Sequence, residues 1–329
     1  MMKEALYYLK SEDNAVKCLL CPNFCVIQPG KSGSCRSRDN IDGKLYATNY
    51  RQTVSFNLDP IEKKPLYHYH PGSLILSMGP NSCNLHCDFC QNFEISQSSS
   101  HTSFLSPEDL LDIILKKRYK QIAFTYTEPF TWYEYILDCG KLFKPNNIKI
   151  VLVTNGYINP EPLAELLPYI DAMNIDLKGF DQDFYHKECR GSLQPVLETI
   201  KTASMHCHIE LTNLLIPNLN DGAEVIEQLV DFVAGVNKQI PLHFSRYFPR
   251  WNCNEPVTPM ETLLLAYRIA KHKLDYVYLG NIQSGDYANT YCPSCNALLI
   301  DRTLDSAICT GLNDGKCSKC GQVIYGKFL

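Results

Sequence analysis

No stretch of the chain approaches the roughly 18 consecutive apolar residues of a transmembrane helix, so nothing in it reads as a membrane span. The N-terminus, Met1-Met2-Lys3-Glu4-Ala5-Leu6, lacks the apolar core of a secretory leader, which points to the cytoplasm. Positive charge is in slight deficit: 31 Lys and Arg face 35 Asp and Glu, a formal net charge of -4. That balance argues against a general affinity for nucleic acid or an anionic membrane. No G-x-G-x-x-G follows the first expected strand, which argues against a dinucleotide-binding doubly wound sheet.

Cysteine is what the chain has in excess, 16 in 329 residues. Cys139, Cys189, Cys207 and Cys253 are scattered, and the rest cluster at short spacings. In a reducing compartment, clustered thiols bind metal rather than each other. Cys83, Cys87 and Cys90 form a C-x3-C-x2-C run directly after an apolar strand. Three thiols leave one coordination position open, which catalysis at a metal requires, and a four-iron cluster is the first candidate. A zinc site that borrows one distant ligand is the alternative. Cys18, Cys21, Cys25 and Cys35, punctuated by Pro22, Gly30 and Gly33, suggest a small knuckle folded around zinc or a second iron–sulfur cluster. Cys292-x2-Cys295 and Cys317-x2-Cys320 have zinc-ribbon spacing, with Gly311, Gly315 and Gly321 suited to its turns.

Between the outer cysteine groups, strands alternate with helices. Strands are expected over 73–79, 121–127, 149–153, 172–177, 208–216, 240–247 and 276–281. Helices are expected over about 107–118, from Glu128 to 140, and over 161–168, 193–205, 222–236 and 258–272, with a further short one within 1–15. Ser106-Pro107 and Thr258-Pro259 both read as a cap followed by proline at the first helical position. Six such units plus an extra strand describe an α/β protein built on an incomplete, TIM-like (β/α)6 barrel. Three regions result: a Cys-rich segment 1–58, the barrel 59–285, and a zinc-ribbon-like segment 286–329. Glu128, Thr154, Asn155, Asp176, Lys178, Asn213 and Arg246 fall at strand C-terminal ends, the face where barrel active sites lie. The segment Asp59–Gly72, with its Lys, His and Tyr residues, is either a solvated loop or a cover over the cluster mouth.

The C-x3-C-x2-C run with Phe89 before its third cysteine resembles the radical SAM superfamily. Cys18-x2-Cys21-Pro22-x2-Cys25, Asp59–His68, Cys90-Gln91-Asn92, Ile95-Ser96-Gln97, Tyr126-Thr127-Glu128-Pro129 and Asn289–Pro293 extend the likeness to AmmeMemoRadiSam system radical SAM enzymes, relatives of pyruvate formate-lyase activating enzyme. The resemblance implies a radical SAM barrel in which Cys83, Cys87 and Cys90 ligate a 4Fe–4S cluster and S-adenosylmethionine occupies the remaining iron. Reductive cleavage would yield a 5′-deoxyadenosyl radical that takes hydrogen from substrate. Tyr126, Glu128, Asn155, Asp176, Lys178 and Arg246 are the implied cofactor-binding residues. Val153 stands where the activating enzyme has Asp, so a monovalent cation site built on that Asp is not expected here; Phe248 stands where it has His, and Arg246 or His243 is expected to compensate. The implied partners are a small molecule, peptide or protein substrate, an electron donor such as flavodoxin or ferredoxin, and other proteins of the named system. Activation of a glycyl radical enzyme is one alternative. A non-catalytic protein that docks partners through its zinc ribbon is the other.

Overall fold

The computed structural model describes residues 2–283, 285–303 and 306–328. Its centre is one eight-stranded sheet whose strands lie side by side in chain order. These are β1 (Ser55–Pro60), β2 (Leu74–Gly79), β3 (Gln121–Phe124), β4 (Lys149–Thr154), β5 (Ala172–Asp176), β6 (His208–Leu215), β7 (Leu242–Arg246) and β8 (Val277–Gly280). β1 runs antiparallel to β2, and every later pairing is parallel. Among the described residues the end strands do not pair with each other, so the barrel is open. Because β1 begins at Ser55, a division at 58/59 falls inside a strand of the central sheet.

The parallel strands read as apolar runs because helices and loops cover both of their faces. All four residues of β3 are buried. Between the strands run α1 (Pro107–Lys117), α2 (Tyr133–Phe143), α3 (Pro160–Leu166), α4 (Leu193–Ser204), α5 (Ala223–Asn237) and α6 (Met260–Lys271). The α1 start is as expected: Ser106 Oγ accepts the Asp109 N–H at 3.1 Å, with Pro107 next in line. In α5, Ile226, Leu229, Val230 and Val233 recur on one helical face and are buried.

Two local expectations are corrected. Residues 2–15, the described part of the expected 1–15 helix, do not form an α-helix. Lys3–Glu4 pairs with Lys44–Ala47 and Tyr8–Lys10 pairs with Val16–Cys18, with Tyr7, Asp13 and Asn14 at positive φ between and after them. Partners from later in the chain supply the backbone hydrogen bonds that a short helix would have made internally. Thr258 does not cap α6. Its hydroxyl donates to the Leu215 carbonyl at 2.6 Å and accepts the Tyr247 N–H at 2.8 Å, which locks the ends of β6 and β7 together. The helix itself starts at Met260.

The N-terminal end of the barrel is plugged. Glu210, fully buried on β6, accepts the N–H groups of Tyr67 and His68 at 2.9 and 2.7 Å. The Nε2 atoms of His208 and His243 stand 3.1 and 2.7 Å from the same carboxylate. The C-terminal segment closes over this plug through hydrogen bonds from Lys327 N to His68 O and from His70 N to Lys327 O, both 2.7 Å. Arg302, from the antiparallel Leu298–Thr303 strand, is buried with its guanidinium 4.3 Å from the Tyr67 ring centre. With that end filled, the opposite end, where β2 runs into the Cys83–Cys90 loop, is left open.

Candidate active site

A cavity of about 510 Å3 opens at the C-terminal ends of the strands. Cys83, Cys87 and Cys90 line it together with Tyr126, Glu128, Asn155, Asp176 and Lys178. Five of the six residues expected to bind a cofactor therefore share one space with the three thiols. The exception is Arg246, which does not line the cavity. Its Nε donates to the Thr258 carbonyl at 2.9 Å, and Ser245 and Asn281 take that edge instead. Nor does His243 compensate for Phe248, because it is engaged with Glu210 in the plug. Asn213 likewise serves the scaffold, donating to the Leu177 carbonyl at 2.8 Å.

The cysteine loop is held from three directions. Gly79 ends β2 where a Cβ would meet the Thr125 carbonyl oxygen at 2.0 Å, so only glycine lets β2 and β3 run this close into the loop. His86 N and Asp88 N donate to the Cys189 and Glu188 carbonyls at 3.0 and 2.9 Å. The His86 ring bridges Gln97 Oε1 at 2.7 Å and Ser34 Oγ at 2.9 Å. Burial pushes the Cys83 thiol well above its ordinary pKa. Cys87 is pushed up too, by a hydrogen bond with the neighbouring Cys189 thiol and then by burial. Burial raises Cys90, although Ser96, 3.1 Å away, opposes the shift. A cation is what would turn such thiols into thiolates. The donor set, three sulfurs beside a roomy cavity, fits a cluster with one position left for a small molecule.

Glu128 is buried, and its carboxylate accepts Phe130 N at 2.9 Å, Thr154 Oγ1 at 2.7 Å and Asn155 N at 2.8 Å. It thereby clamps the ends of β3 and β4. Burial pushes its pKa up to about 7, against the pull of these donors. Asn155 Nδ2 lies 2.9 Å from Asn84 Oδ1 and 3.7 Å from Cys83 Sγ, so its amide faces the cysteine loop. Lys178 Nζ is 2.9 Å from Asp176 Oδ2. Burial alone would lower the Lys178 pKa, but Asp176 and the Cys87 and Cys189 thiols outweigh it and hold it well above the usual value.

Asp59, Lys63, Lys64 and Pro65 also line the cavity, so this stretch is a wall of the site rather than a solvated loop. Asp59 Oδ2 accepts Lys64 Nζ at 2.7 Å and Tyr126 OH at 2.6 Å, and the Lys64 ammonium sits 4.4 Å from the Tyr126 ring centre. The triad and the Cys87–Cys189 contact escape sequence reasoning because their members are 62 residues or more apart, save Asp59 and Lys64. The signals in the sequence were the Lys, His and Tyr residues of 59–72 and the place of Tyr126 at a strand end.

The other two thiol groups differ in spacing. The sulfurs of Cys292, Cys295, Cys317 and Cys320 all lie within 4.8 Å of one another, with Cys292–Cys320 at 3.5 Å and Cys295–Cys317 at 3.6 Å. Cys18, Cys21, Cys25 and Cys35 line a small cavity of about 20 Å3 but, among the described residues, form no such tight group. Burial pushes the Cys18 thiol up to about 11.

Comparison with known proteins agrees with the geometry. The model of the Radical SAM superfamily matches residues 79–233. An uncharacterized protein of Methanocaldococcus jannaschii is 41% identical over 332 residues, spanning 98% of this chain and 99% of its own. The 4-hydroxyphenylacetate decarboxylase activating enzyme of Clostridium scatologenes is 24% identical over 162 residues, 45% of this chain and 52% of the relative. The chain thus spans about half of that enzyme. Among solved structures, a radical SAM methyltransferase from Sphaerobacter thermophilus shares the fold, with a TM-score of 0.51 at 13% identity over 64% of this chain and 67% of the other. No helix among the described residues is long and apolar enough to cross a membrane.

Proposed function

The chain belongs to the radical SAM superfamily, and from that premise we propose that it is an enzyme holding a 4Fe–4S cluster on Cys83, Cys87 and Cys90 and cleaving S-adenosylmethionine reductively there. The observation that carries this reading is the convergence of the three thiols with Tyr126, Asn155, Asp176 and Lys178 on one cavity at the strand ends. When bound, the cluster and its cofactor supply a radical able to take hydrogen from a substrate.

The protein's own part is placement and exclusion of water. Lys178 presents a fixed ammonium suited to a carboxylate, and the Asp176 carboxylate and Asn155 amide suit hydroxyls and an amino group. Glu128 acts one step back, holding the Tyr126–Asn155 wall in register. Asp59, Lys64 and Tyr126 form the face against which a substrate would lie.

A small molecule or a peptide is the substrate class we favour, because only 15 residues, 91–105, separate the cysteine motif from the segment entering α1. The partners this reading implies are a flavodoxin- or ferredoxin-type electron donor and proteins of the AmmeMemoRadiSam system. Anaerobically reconstituted protein, given S-adenosylmethionine and dithionite, should release 5′-deoxyadenosine, and Cys87→Ala should abolish the release. Equal release by both proteins would sink the proposal.

Activation of a glycyl radical enzyme is the second reading. Two relatives bear activating-enzyme names, that of Clostridium scatologenes and the (2S)-3-sulfopropanediol dehydratase activating enzyme of Klebsiella oxytoca, which matches 32% of this chain. A glycyl radical signal appearing on a partner protein would favour it over a small-molecule substrate.

A further inference from the structure

We propose that Cys18, Cys21, Cys25 and Cys35 hold a second iron–sulfur centre and that electrons enter the enzyme through it. The relay part rests on the function proposed above, whereas the centre itself does not.

Three observations support the site. First, the spacing of the sulfurs separates this group from the C-terminal one. A zinc ion bound by four thiolates at about 2.3 Å draws its sulfurs to within about 3.8 Å of one another. The C-terminal sulfurs already approach at 3.5 and 3.6 Å. The four N-terminal cysteines line one cavity, yet among the described residues no three of their sulfurs lie within 4.8 Å of one another, the looser spacing that a larger iron–sulfur core would require. Cys83, Cys87 and Cys90 behave the same way.

Second, a buried cation faces the cavity. Arg38 is 1% exposed and lines it, with Nη1 donating to Glu134 Oε1 at 2.6 Å. Among the described residues, its Nε and Nη2 have no hydrogen-bond partner. Unpaired buried N–H groups are costly, and they need an acceptor at this spot. A tetrathiolate centre is anionic, and its sulfurs accept N–H groups. It would satisfy the donors that Glu134 leaves open.

Third, the site lies between the surface and the cluster loop. Phe24, on the cavity wall, is exposed. On the inner side the cavity is bounded by Asn84, the residue that follows Cys83. Asn23 Nδ2 donates to the Asn84 carbonyl at 2.8 Å, and Ser34 Oγ meets His86 Nε2 at 2.9 Å. The N-terminal knuckle therefore touches the active-site cysteine loop directly.

The electron count is simple. A reduced flavodoxin or ferredoxin gives one electron to the N-terminal centre and is oxidised. The centre passes that electron to the cluster on Cys83, Cys87 and Cys90 and returns to its starting state. No bond or proton changes at either transfer.

The test uses the full chain, reconstituted anaerobically with iron and sulfide. The variant carrying Cys83→Ala, Cys87→Ala and Cys90→Ala should still hold about four iron and four sulfide per chain, the content of one cubane. That result is independent of any S-adenosylmethionine chemistry. Zinc in place of iron, or no metal beyond the C-terminal site, overturns the proposal. Cys18→Ala with Cys35→Ala should lose about half the iron of the parent, consistent with one of two clusters. It should release 5′-deoxyadenosine normally with dithionite but at least about tenfold more slowly with reduced flavodoxin. Equal rates with both reductants overturn the relay. Should that variant fail to fold, Arg38→Met keeps all four thiols. A redox titration followed by electron paramagnetic resonance should then show the second centre at a lower potential than in the parent; an unchanged potential would overturn the part given to Arg38, and the absence of a second signal in both proteins would overturn the site.

Discussion

Glu128 shows how one side chain holds two strand ends at the site. Its two carboxylate oxygens meet three donors, so an amide in its place must turn an NH2 group toward at least one N–H or O–H that needs an acceptor. We expect Glu128→Gln to stay within about 1 kcal/mol of the parent at pH 5.5, read from urea unfolding, because the protonated parent carboxyl also turns an O–H toward one of the same donors. The variant should then gain on the parent as the pH rises. The folded pKa of Glu128, about 7, lies above the ordinary 4.5, so the stability contributed by protonation is complete below 4.5 and is lost as the pH passes through 7. The parent should therefore lose on the order of 3 kcal/mol between pH 4.5 and pH 8 from this residue, and the non-titrating Gln variant should not. Parallel pH profiles for the two proteins would refute the assignment.

At the scale of elements, the strap from Ile61 to His70 connects the site wall to the plug. It begins beside Lys64 in the cavity and ends in hydrogen bonds to Lys327 at the opposite end of the barrel. His68 is its anchor: Nδ1 lies 2.6 Å from the Tyr325 carbonyl and Nε2 2.6 Å from Tyr278 OH. A neutral ring, donating from Nδ1 and accepting at Nε2, satisfies both partners. Burial pushes its pKa down to about 3. Because the folded value lies below the unfolded 6.5, the stability from the neutral ring is complete above 6.5 and is lost as the pH falls toward 3. The urea midpoint of the parent should fall more steeply between pH 7 and pH 4 than that of His68→Gln, which carries no titrating ring. Identical slopes would show that His68 does not govern the acid sensitivity of the strap.

At the scale of the whole molecule, the C-terminal segment rests on the barrel through Arg302, Tyr325 and Lys327, so its folding is tied to that of the plug. The four sulfurs of Cys292, Cys295, Cys317 and Cys320 have the spacing of a closed tetrahedral site, and we expect one zinc per chain there. Cys292→Ala with Cys317→Ala should lose that zinc and lower the thermal midpoint by several degrees, because structural zinc supplies folding energy. Cys83→Ala, Cys87→Ala and Cys90→Ala together should leave the zinc content unchanged. A zinc content indifferent to the C-terminal cysteines would refute the assignment. The sequence by itself determined the α/β alternation, the three cysteine groups and most of the rim. It could do so because strand and helix periods, caps and short Cys spacings are local, and local patterns survive in a linear string. Only the tertiary structure decided what required distant strands to meet. It moved Arg246 and His243 off the cavity, paired Asp59 and Lys64 with Tyr126, and placed Cys189 against Cys87. It also set Arg38 beside the N-terminal thiols with Nε and Nη2 unpaired among the described residues. Side-chain direction at a strand end depends on which neighbours fill the space around it, and those neighbours come from elsewhere in the chain.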